Sequence, residues 1–148
     1  MREVNRHAIL AYSADAMFDL VADVESYPEF LPGCSDAKIL EDRGDEVVAR
    51  LKLSQGPLKL SFTTRNVLTR SRAISLELVD GPFASLNGQW LFEPLGEAGT
   101  KLTLALTFAF SSRMKDVAMG LVFEQTCNML VDAFVKRADT IYGNAVDN

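Results

Sequence analysis

The chain has 148 residues, of which 48% are hydrophobic and 24% charged, a balance typical of one globular domain with its own core. We expect no membrane-spanning helix, because no run of about 18 apolar residues occurs, and no secretory signal, because residues 1–7 are polar and no long apolar stretch precedes Tyr12. The net charge of −5 argues against binding nucleic acid by overall attraction, and we expect no DNA partner. One histidine and two cysteines argue against His-rich metal centres and disulfide frameworks, and favour a cytoplasmic protein.

The charge is unevenly distributed along the chain. Residues 13–46 carry ten acidic and two basic residues, whereas residues 47–76 carry six basic residues and no acidic one. The sequence therefore allows a contact with RNA or an anionic membrane on one face of the protein only.

The first part of the chain predicts a strand followed by short helices. Residues 3–10 are predicted to form the strand, and Ser13 is a suitable N-cap for a helix that ends near residues 21–23. Pro28 and Pro32 then restrict the chain to a short helical turn or two.

From about residue 37 to residue 110 the apolar residues alternate with polar ones. This period of two predicts about six strands of an antiparallel sheet that has one buried face and one solvated face. The predicted turns lie at residues 43–45, 55–57, 80–82 and 96–99, each of which contains glycine.

After residue 110 the apolar period returns to that of a helix. We predict one long amphipathic helix from about residue 113 to 142, bent near Gly120. A curved antiparallel sheet wrapped around a long C-terminal helix is an α+β helix-grip arrangement. A hollow is expected between them, because a curved sheet cannot contact a straight helix everywhere.

The predicted inner faces are apolar and carry no ionisable side chain. They form either an ordinary packed core or, at the open end of the grip, a cavity for a hydrophobic ligand. The residues predicted to line this cavity are Phe30, Trp90, Phe92, Phe108, Phe123, Leu130 and Phe134. Its mouth is predicted at two loops, which carry Tyr27, Pro28, Pro32 and Phe83. The apolar side chains of these loops either pack inward, or gate the cavity, or contact a membrane surface.

Two neighbouring predicted strands carry cations at alternating positions, so that their side chains would project from the same outer face of the sheet. These cations are Arg50, Lys52, Lys59 and Arg65. We assign the hydrogen-bonding groups of Thr63, Thr64 and Asn66 to the same surface. The surface is either a solvated face paired with the acidic segment, or a phosphate-facing patch for RNA or anionic lipid.

The sequence offers little for catalysis. His7 lies on a predicted strand without a nearby nucleophile, and Cys127 lies in the apolar stripe of the long helix. Cys34 follows Gly33 in a loop where exposure is expected, but no neighbouring cation would activate it. The acids of residues 19–29 lack the spacing of a calcium-binding loop. We therefore predict no catalytic residue and no metal site.

Several strings, found in order along nearly the whole chain, resemble the coenzyme Q-binding, polyketide-cyclase-like START family. They are residues 21–34 (VADVESYPEFLPGC), 62–66 (FTTRN), 79–83 (VDGPF), 90–94 (WLFEP), 108–112 (FAFSS) and 132–138 (DAFVKRA). The likeness is strongest to a bacterial branch known as ribosome association toxins. It implies one START-like domain over residues 1–148 with the helix-grip fold, and it supplies no catalytic motif.

The resemblance implies two functions. One is a noncatalytic carrier that supports respiration, with ubiquinone as its bound ligand and no other cofactor. The other is binding to the large ribosomal subunit, which blocks association with the small subunit and inhibits translation. An enzyme of the cyclase or dehydratase type is a third hypothesis. The protein would lie in the cytoplasm or, as a lipid carrier, at the periphery of the inner membrane.

Overall fold

The computed structural model describes residues 1–143 and contains one antiparallel sheet in the order β1-β7-β6-β5-β4-β3-β2. The strands are β1 (Arg2–Leu10), β2 (Cys34–Asp42), β3 (Glu46–Gln55), β4 (Leu58–Thr69), β5 (Ala73–Asp80), β6 (Phe83–Leu95) and β7 (Gly99–Phe110). The helical segments are α1 (Ala14–Ala22), a 3-10 helix (Val24–Glu29), α2 (Arg113–Lys115), a π-helical turn (Asp116–Gly120) and α3 (Leu121–Tyr142). Strands β2 to β6 each pair with the next strand in the sequence, and β1 joins the edge beside β7.

The local signals in the sequence act as expected at the start of α1 and at the β5–β6 turn. The backbone N–H of Ala16 donates to Ser13 Oγ at 3.1 Å, so Ser13 is the N-cap of α1. Gly81 has a φ of +148°, and a Cβ there would lie 2.7 Å from the Cβ of Phe62. Only glycine therefore lets this turn approach β4 so closely.

The start of the C-terminal helix is held to the sheet edge by Arg2. Its Nε donates to Asp116 Oδ1 at 3.1 Å, and its Nη1 donates to Glu124 Oε1 at 3.4 Å. A Cβ at Gly120 would lie 2.5 Å from the same Nε, so glycine leaves the room that the guanidinium occupies. The bend predicted near Gly120 corresponds to the π-helical turn that ends at this residue.

Helix α3 crosses only part of the sheet. Its backbone lies close to β1, β7 and α1, whereas α1 itself packs on β6 and β7. The strands from β2 to β5 curve away from α3 and leave a hollow on that side. The predicted α+β class and helix-grip arrangement are confirmed. None of the helices within residues 1–143 is long and apolar enough to cross a bilayer.

Candidate functional site: a cavity between the sheet and helix α3

A cavity of about 100 Å³ lies between α3 and the inner faces of β3 to β7. The 3-10 helix and the loop that follows it close one side through Tyr27, Leu31 and Pro32. Almost all of the accessible wall is apolar. The half-buried apolar residues on its border, through which it approaches the surface, are Pro32, Leu51, Leu53, Leu76 and Leu130.

The structure brings about half of the predicted site residues together. The predicted lining residues found in the wall are Trp90, Phe123, Leu130 and Phe134. Of the residues predicted at the mouth, Tyr27 and Pro32 also border the cavity. Trp90 and Phe134 meet edge to face, with ring centroids 5.1 Å apart, and form the end wall.

Phe92, Phe108 and Phe83 do not line the cavity, because each is enclosed in the packed core. Phe92 packs edge to face against Phe18 of α1 with ring centroids 5.5 Å apart. Phe108 and Phe83 belong to a phenylalanine cluster of which only Phe62 and Phe123 border the cavity. The phenylalanine cluster consists of Phe62, Phe83, Phe108, Phe110 and Phe123. Inward parity on a strand was therefore not sufficient to predict exposure to the cavity.

Phe30 and Pro28 do not border the cavity. The ring of Phe30 packs against Phe134 at 5.3 Å from behind the wall, and the guanidinium of Arg137 lies 4.9 Å from the same ring. Pro28 is exposed to solvent. The 3-10 helix turns Tyr27 inward instead, and its hydroxyl donates to the backbone carbonyl of Val21.

The cavity wall contains polar groups that the sequence assignment missed. Thr64 and Asn66 of β4 are 6% and 7% exposed and face the cavity, and Thr126 of α3 borders it from the helix side. The assignment of Thr64 and Asn66 to the basic outer surface was wrong. They continue the inward parity of Leu58, Leu60 and Phe62 along β4. That alternation was the signal that could have placed them correctly.

These polar groups are tied to neighbouring atoms. Thr64 Oγ1 donates to Asn66 Oδ1 at 2.7 Å, and Thr126 Oγ1 donates to the carbonyl of Val122 at 2.8 Å. The wall therefore offers neutral hydrogen-bonding groups from two sides, set in apolar surroundings.

The titratable groups of the wall are held in their neutral forms. Burial raises the pKa of the Tyr27 hydroxyl and the pKa of the Cys127 thiol. Cys34, expected to be exposed, is instead buried at the start of β2, and burial raises the pKa of its thiol as well. Among residues 1–143 no carboxylate, histidine or cation borders the cavity. Such a site suits a neutral, largely apolar molecule.

The four predicted cations share the outer face of β3 and β4. In the register, Arg50 lies opposite Thr63 and Lys52 opposite Ser61. Lys38 of β2 lies opposite Arg50 and adds a fifth cation to this face. The Nε of Arg50 is buried and has no hydrogen-bond partner within the described part of the chain.

The basic segment is only partly neutralised by the acidic one. Arg65 Nε lies 3.6 Å from Glu46 Oε1, and Arg70 Nη1 lies 2.5 Å from Asp19 Oδ1. Across residues 1–143, Arg50, Lys52 and Lys59 form no ion pair. His7 is exposed on β1, away from both the cavity and these cations.

Comparisons with known proteins agree with the predicted family. Residues 10–135 match the family model described as polyketide cyclase / dehydrase and lipid transport. The "Ribosome association toxin RatA" of Vibrio cholerae is 46% identical over 143 residues, which cover 97% of this chain and 99% of that protein. The mitochondrial "Coenzyme Q-binding protein COQ10" of Dictyostelium discoideum is 28% identical over 140 residues, covering 92% and 68% of the two chains.

The fold has solved counterparts. The crystal structure of the ZhuI aromatase/cyclase from Streptomyces sp. R1128 matches with a TM-score of 0.82 and 21% identity, over 96% of this chain and 97% of that one. At this identity the likeness shows the shared fold alone. The match over most of the chain and the high identity to RatA show that this protein belongs to the START-like polyketide cyclase/dehydrase and lipid transport family, as its sequence strings indicated.

Proposed function

We propose that this protein is a noncatalytic carrier of a neutral hydrophobic ligand, ubiquinone or a related polyprenyl lipid, held between the sheet and α3. The observation that carries the proposal is the cavity wall, which is apolar apart from a few neutral polar groups. Within residues 1–143 the wall has no carboxylate, histidine or cation, and burial raises the pKa values of its Tyr27, Cys34 and Cys127 groups and keeps them neutral. Such a wall is poorly equipped for the proton transfers of a cyclase or dehydratase.

The size of the cavity indicates how such a ligand would be held. About 100 Å³ is small beside the ~300–1,000 Å³ of typical ligand pockets. A substituted ring would therefore require α3 and the 3-10 helix to move apart, with the polyprenyl tail leaving between Pro32, Leu53 and Leu130. The half-buried leucines at this end offer apolar surface to such a tail.

The relationship to a coenzyme Q-binding protein supports the choice of ligand class. COQ10 of Dictyostelium matches over most of this chain, although at lower identity than RatA. A neutral ring with an apolar tail also has the polarity that the wall can accept without burying an unpaired charge.

The test is the lipid content and quinone affinity of the purified protein. Mass spectrometry of organic extracts is expected to detect ubiquinone, and decylubiquinone is expected to bind the delipidated protein. Leu130→Asp places a charge in the wall and is expected to weaken binding at least tenfold. Met129→Asp puts the same charge on the adjacent exposed position and is expected to bind normally. Empty extracts together with no binding of added quinone would overturn the proposal.

A second candidate function is association with the large ribosomal subunit, through the outer face of β3 and β4. It is favoured by the name of the 46% identical relative and by three cations, Arg50, Lys52 and Lys59, that no acid of residues 1–143 neutralises. Contacts between such cations and RNA phosphates release counterions, so binding should weaken steeply with salt.

Sucrose gradients after overexpression test this candidate. Wild-type protein is expected to co-migrate with the large subunit and to raise the proportion of free subunits. Changing Arg50, Lys52, Lys59 and Arg65 to alanine is expected to remove both effects, whereas changing Lys101 and Lys136, which lie elsewhere, should not. Unchanged profiles for wild-type protein, or an active quadruple variant, would contradict it.

A further inference from the structure

Asn66 is a buried wall residue whose hydrogen bonding is incomplete. Asn66 is only 7% exposed, and its Oδ1 accepts a hydrogen bond from Thr64 Oγ1. Within residues 1–143 this is the one hydrogen bond that the side chain makes, so the amide N–H groups have no partner. Unlike the unpaired Arg50 Nε, the amide nitrogen of Asn66 is not fully enclosed by protein atoms, so a molecule in the cavity can reach it. A donor that loses most of its contact with water and finds no partner costs stability.

The surroundings of Asn66 define what could satisfy it. In the sheet Asn66 lies opposite Leu76 of β5 and Val47 of β3, and with Leu76 and Trp90 it borders the cavity. A molecule in the cavity would thus meet one hydrogen-bond donor in an otherwise apolar stretch of wall. A carboxylate is disfavoured there, because no cation lies in the wall to balance its charge.

We propose that Asn66, held in place by Thr64, donates a hydrogen bond to a neutral carbonyl oxygen on the ring of the ligand. The proposal rests on the proposed carrier function and specifies how the headgroup is recognised. The ring is oriented with its carbonyl at β4 and its tail at the opposite end of the cavity, beside Leu53 and Leu130. Ligands with the same tail but no oxygen would fit the wall and leave Asn66 without a partner.

The single tryptophan of the chain provides the measurement, because Trp90 lies in the cavity wall. Its fluorescence is titrated with decylubiquinone and with decylbenzene, which has the same tail and no carbonyl. In the double variant Thr64→Val/Asn66→Leu, decylubiquinone is expected to bind about 3- to 10-fold more weakly, the range for one neutral hydrogen bond. Decylbenzene is expected to bind the variant as well as it binds the wild type, or more tightly.

Stability separates this role from a structural one. Replacing both polar partners with apolar side chains of similar shape leaves no orphaned group, so the urea midpoint should stay the same or rise. Thr64→Val alone keeps the amide N–H groups of Asn66 but removes the hydrogen bond that holds the side chain. Decylubiquinone is expected to bind this variant more weakly than the wild type and more tightly than the double variant. Asn5→Leu makes the matched change at an exposed position of β1, away from the cavity, and should alter neither the urea midpoint nor the affinity for either ligand.

The outcomes distinguish the two proposals. Wild-type affinity for decylubiquinone in a folded double variant, or in Thr64→Val an affinity as low as that of the double variant, would overturn the role of Asn66 and leave the carrier function standing. An equal loss of affinity for both ligands, together with lower stability, would overturn it in favour of a structural role. If the wild-type protein binds neither ligand, the carrier function itself fails.

A separate observation concerns the surface at the start of the C-terminal helix. Met114 and Val117 are each 81% exposed and Leu121 is 54% exposed. Their spacing of three and four residues places them on one side of the helical segment. Exposed apolar residues grouped in this way mark an interaction surface.

The charges around this apolar face favour an anionic bilayer as its partner. Arg113 and Lys115 flank Met114 and form no ion pair within the described residues. The acids of the same stretch, Asp116 and Glu124, are both bound by Arg2. Apolar residues that enter the headgroup region beside unpaired cations are the pattern of a peripheral membrane segment.

We infer that residues 113–121 dock the protein on anionic lipid. Leu121 lies two residues before Phe123 of the cavity wall, so docking would bring the helix side of the cavity close to the bilayer. Co-sedimentation with phosphatidylcholine vesicles containing 30% phosphatidylglycerol is expected for the wild type and should weaken with salt. Pure phosphatidylcholine vesicles are expected to bind at least tenfold more weakly.

Two variants and a control complete this test. Met114→Ser/Val117→Ser and Arg113→Gln/Lys115→Gln are each expected to reduce binding to the anionic vesicles about tenfold. Val67→Ser changes an exposed apolar residue on β4 and should leave binding intact. Wild-type protein that stays in the supernatant with anionic vesicles, or variants that sediment as it does, would overturn the inference and leave the face to a protein partner.

Discussion

The two halves of the sheet have the same alternation of apolar residues but different environments. In the packed half, formed by β1, β7 and β6 under α1 and α3, Leu102 and Phe108 are fully buried. In the open half, formed by β2 to β5, the corresponding inward residues Leu51 and Leu53 of β3 are only half buried. Leu58 of β4, in the same half, is fully buried, so inward parity alone does not decide how deeply a position is buried.

The geometry of the helices explains the difference. The backbone of α3 lies closest to β1 and β7, so the twisted sheet departs from it toward β2. Large rings fill the packed half, with Phe108 and Phe123 at 4.7 Å between ring centroids. The cavity lies between these rings and β3, and its wall takes residues from both halves, such as Trp90 and Leu104 from the packed half and Leu53 from the open half.

The largest expected effect compares one substitution in the two halves. Leu102→Ala, in the packed half, is expected to lower the free energy of unfolding by about 2–5 kcal/mol through lost burial and a new void. Leu53→Ala, at the cavity, should cost on the order of 1 kcal/mol or less, because its side chain already borders empty space. Urea denaturation measures both, and equal costs would contradict the division into two halves.

Added volume should have opposite consequences in the two halves. Ala138→Leu, in the fully buried part of α3, is expected to cost about 1–3 kcal/mol through overpacking. Ala49→Leu grows into the cavity and should keep or raise stability while it reduces decylubiquinone binding. A destabilised Ala49→Leu variant with unchanged quinone affinity would show that the space beside Ala49 is not the ligand site.

Alkaline pH tests whether water is excluded from the cavity wall. Burial raises the pKa of the Cys127 thiol, so the folded protein keeps a proton that the unfolded chain releases above its ordinary pKa of about 8.5. The free energy of unfolding should therefore fall as pH rises beyond that value, by about 1.4 kcal/mol per pH unit for this group. Cys127→Val is expected to reduce the slope by that amount in urea melts between pH 8 and 10. An identical slope in the variant would mean that the thiol titrates normally.

The smallest expected effect concerns the helix that covers the packed half. Ser13→Ala removes the N-cap of α1 and should lower stability by about 1 kcal/mol. Quinone affinity should be unchanged, because Ser13 does not border the cavity. Ser26→Ala, which removes an exposed hydrogen bond to Asp23, is the control and should have less effect on the melting temperature. A loss of quinone affinity in Ser13→Ala would show that α1 also shapes the open half.

Much of the fold was predictable because the strands and helices follow from short-range patterns of apolar and polar residues. The period-two alternation from residue 37 to 110 anticipated β2 to β7, and the helical period anticipated the long C-terminal helix. The turn residues, including Gly81, separated the strands at the expected positions. The candidate site was harder to predict from the sequence. The alternation of residues along a strand identifies the inner face of the sheet, but it does not show which part of that face a helix covers.

The errors at the site have specific causes. Phe92 faces inward as predicted, yet it packs on Phe18, a contact that depends on where α1 lands on β6. Asn66 was grouped with the neighbouring cation Arg65 because polarity was given more weight than parity, although adjacent residues on a strand face opposite sides.

The sequence by itself determined the strands and helices, the apolar inner face, the uneven charge and the family, because these follow from residue order and local periodicity. Only the tertiary structure decided that the inner face divides into a packed half and a cavity, and that Asn66 and Thr64 belong to its wall. Those outcomes depend on the path of α3 over a twisted sheet, which is set by contacts between residues far apart in the chain, such as those of Arg2 with Asp116 and Glu124.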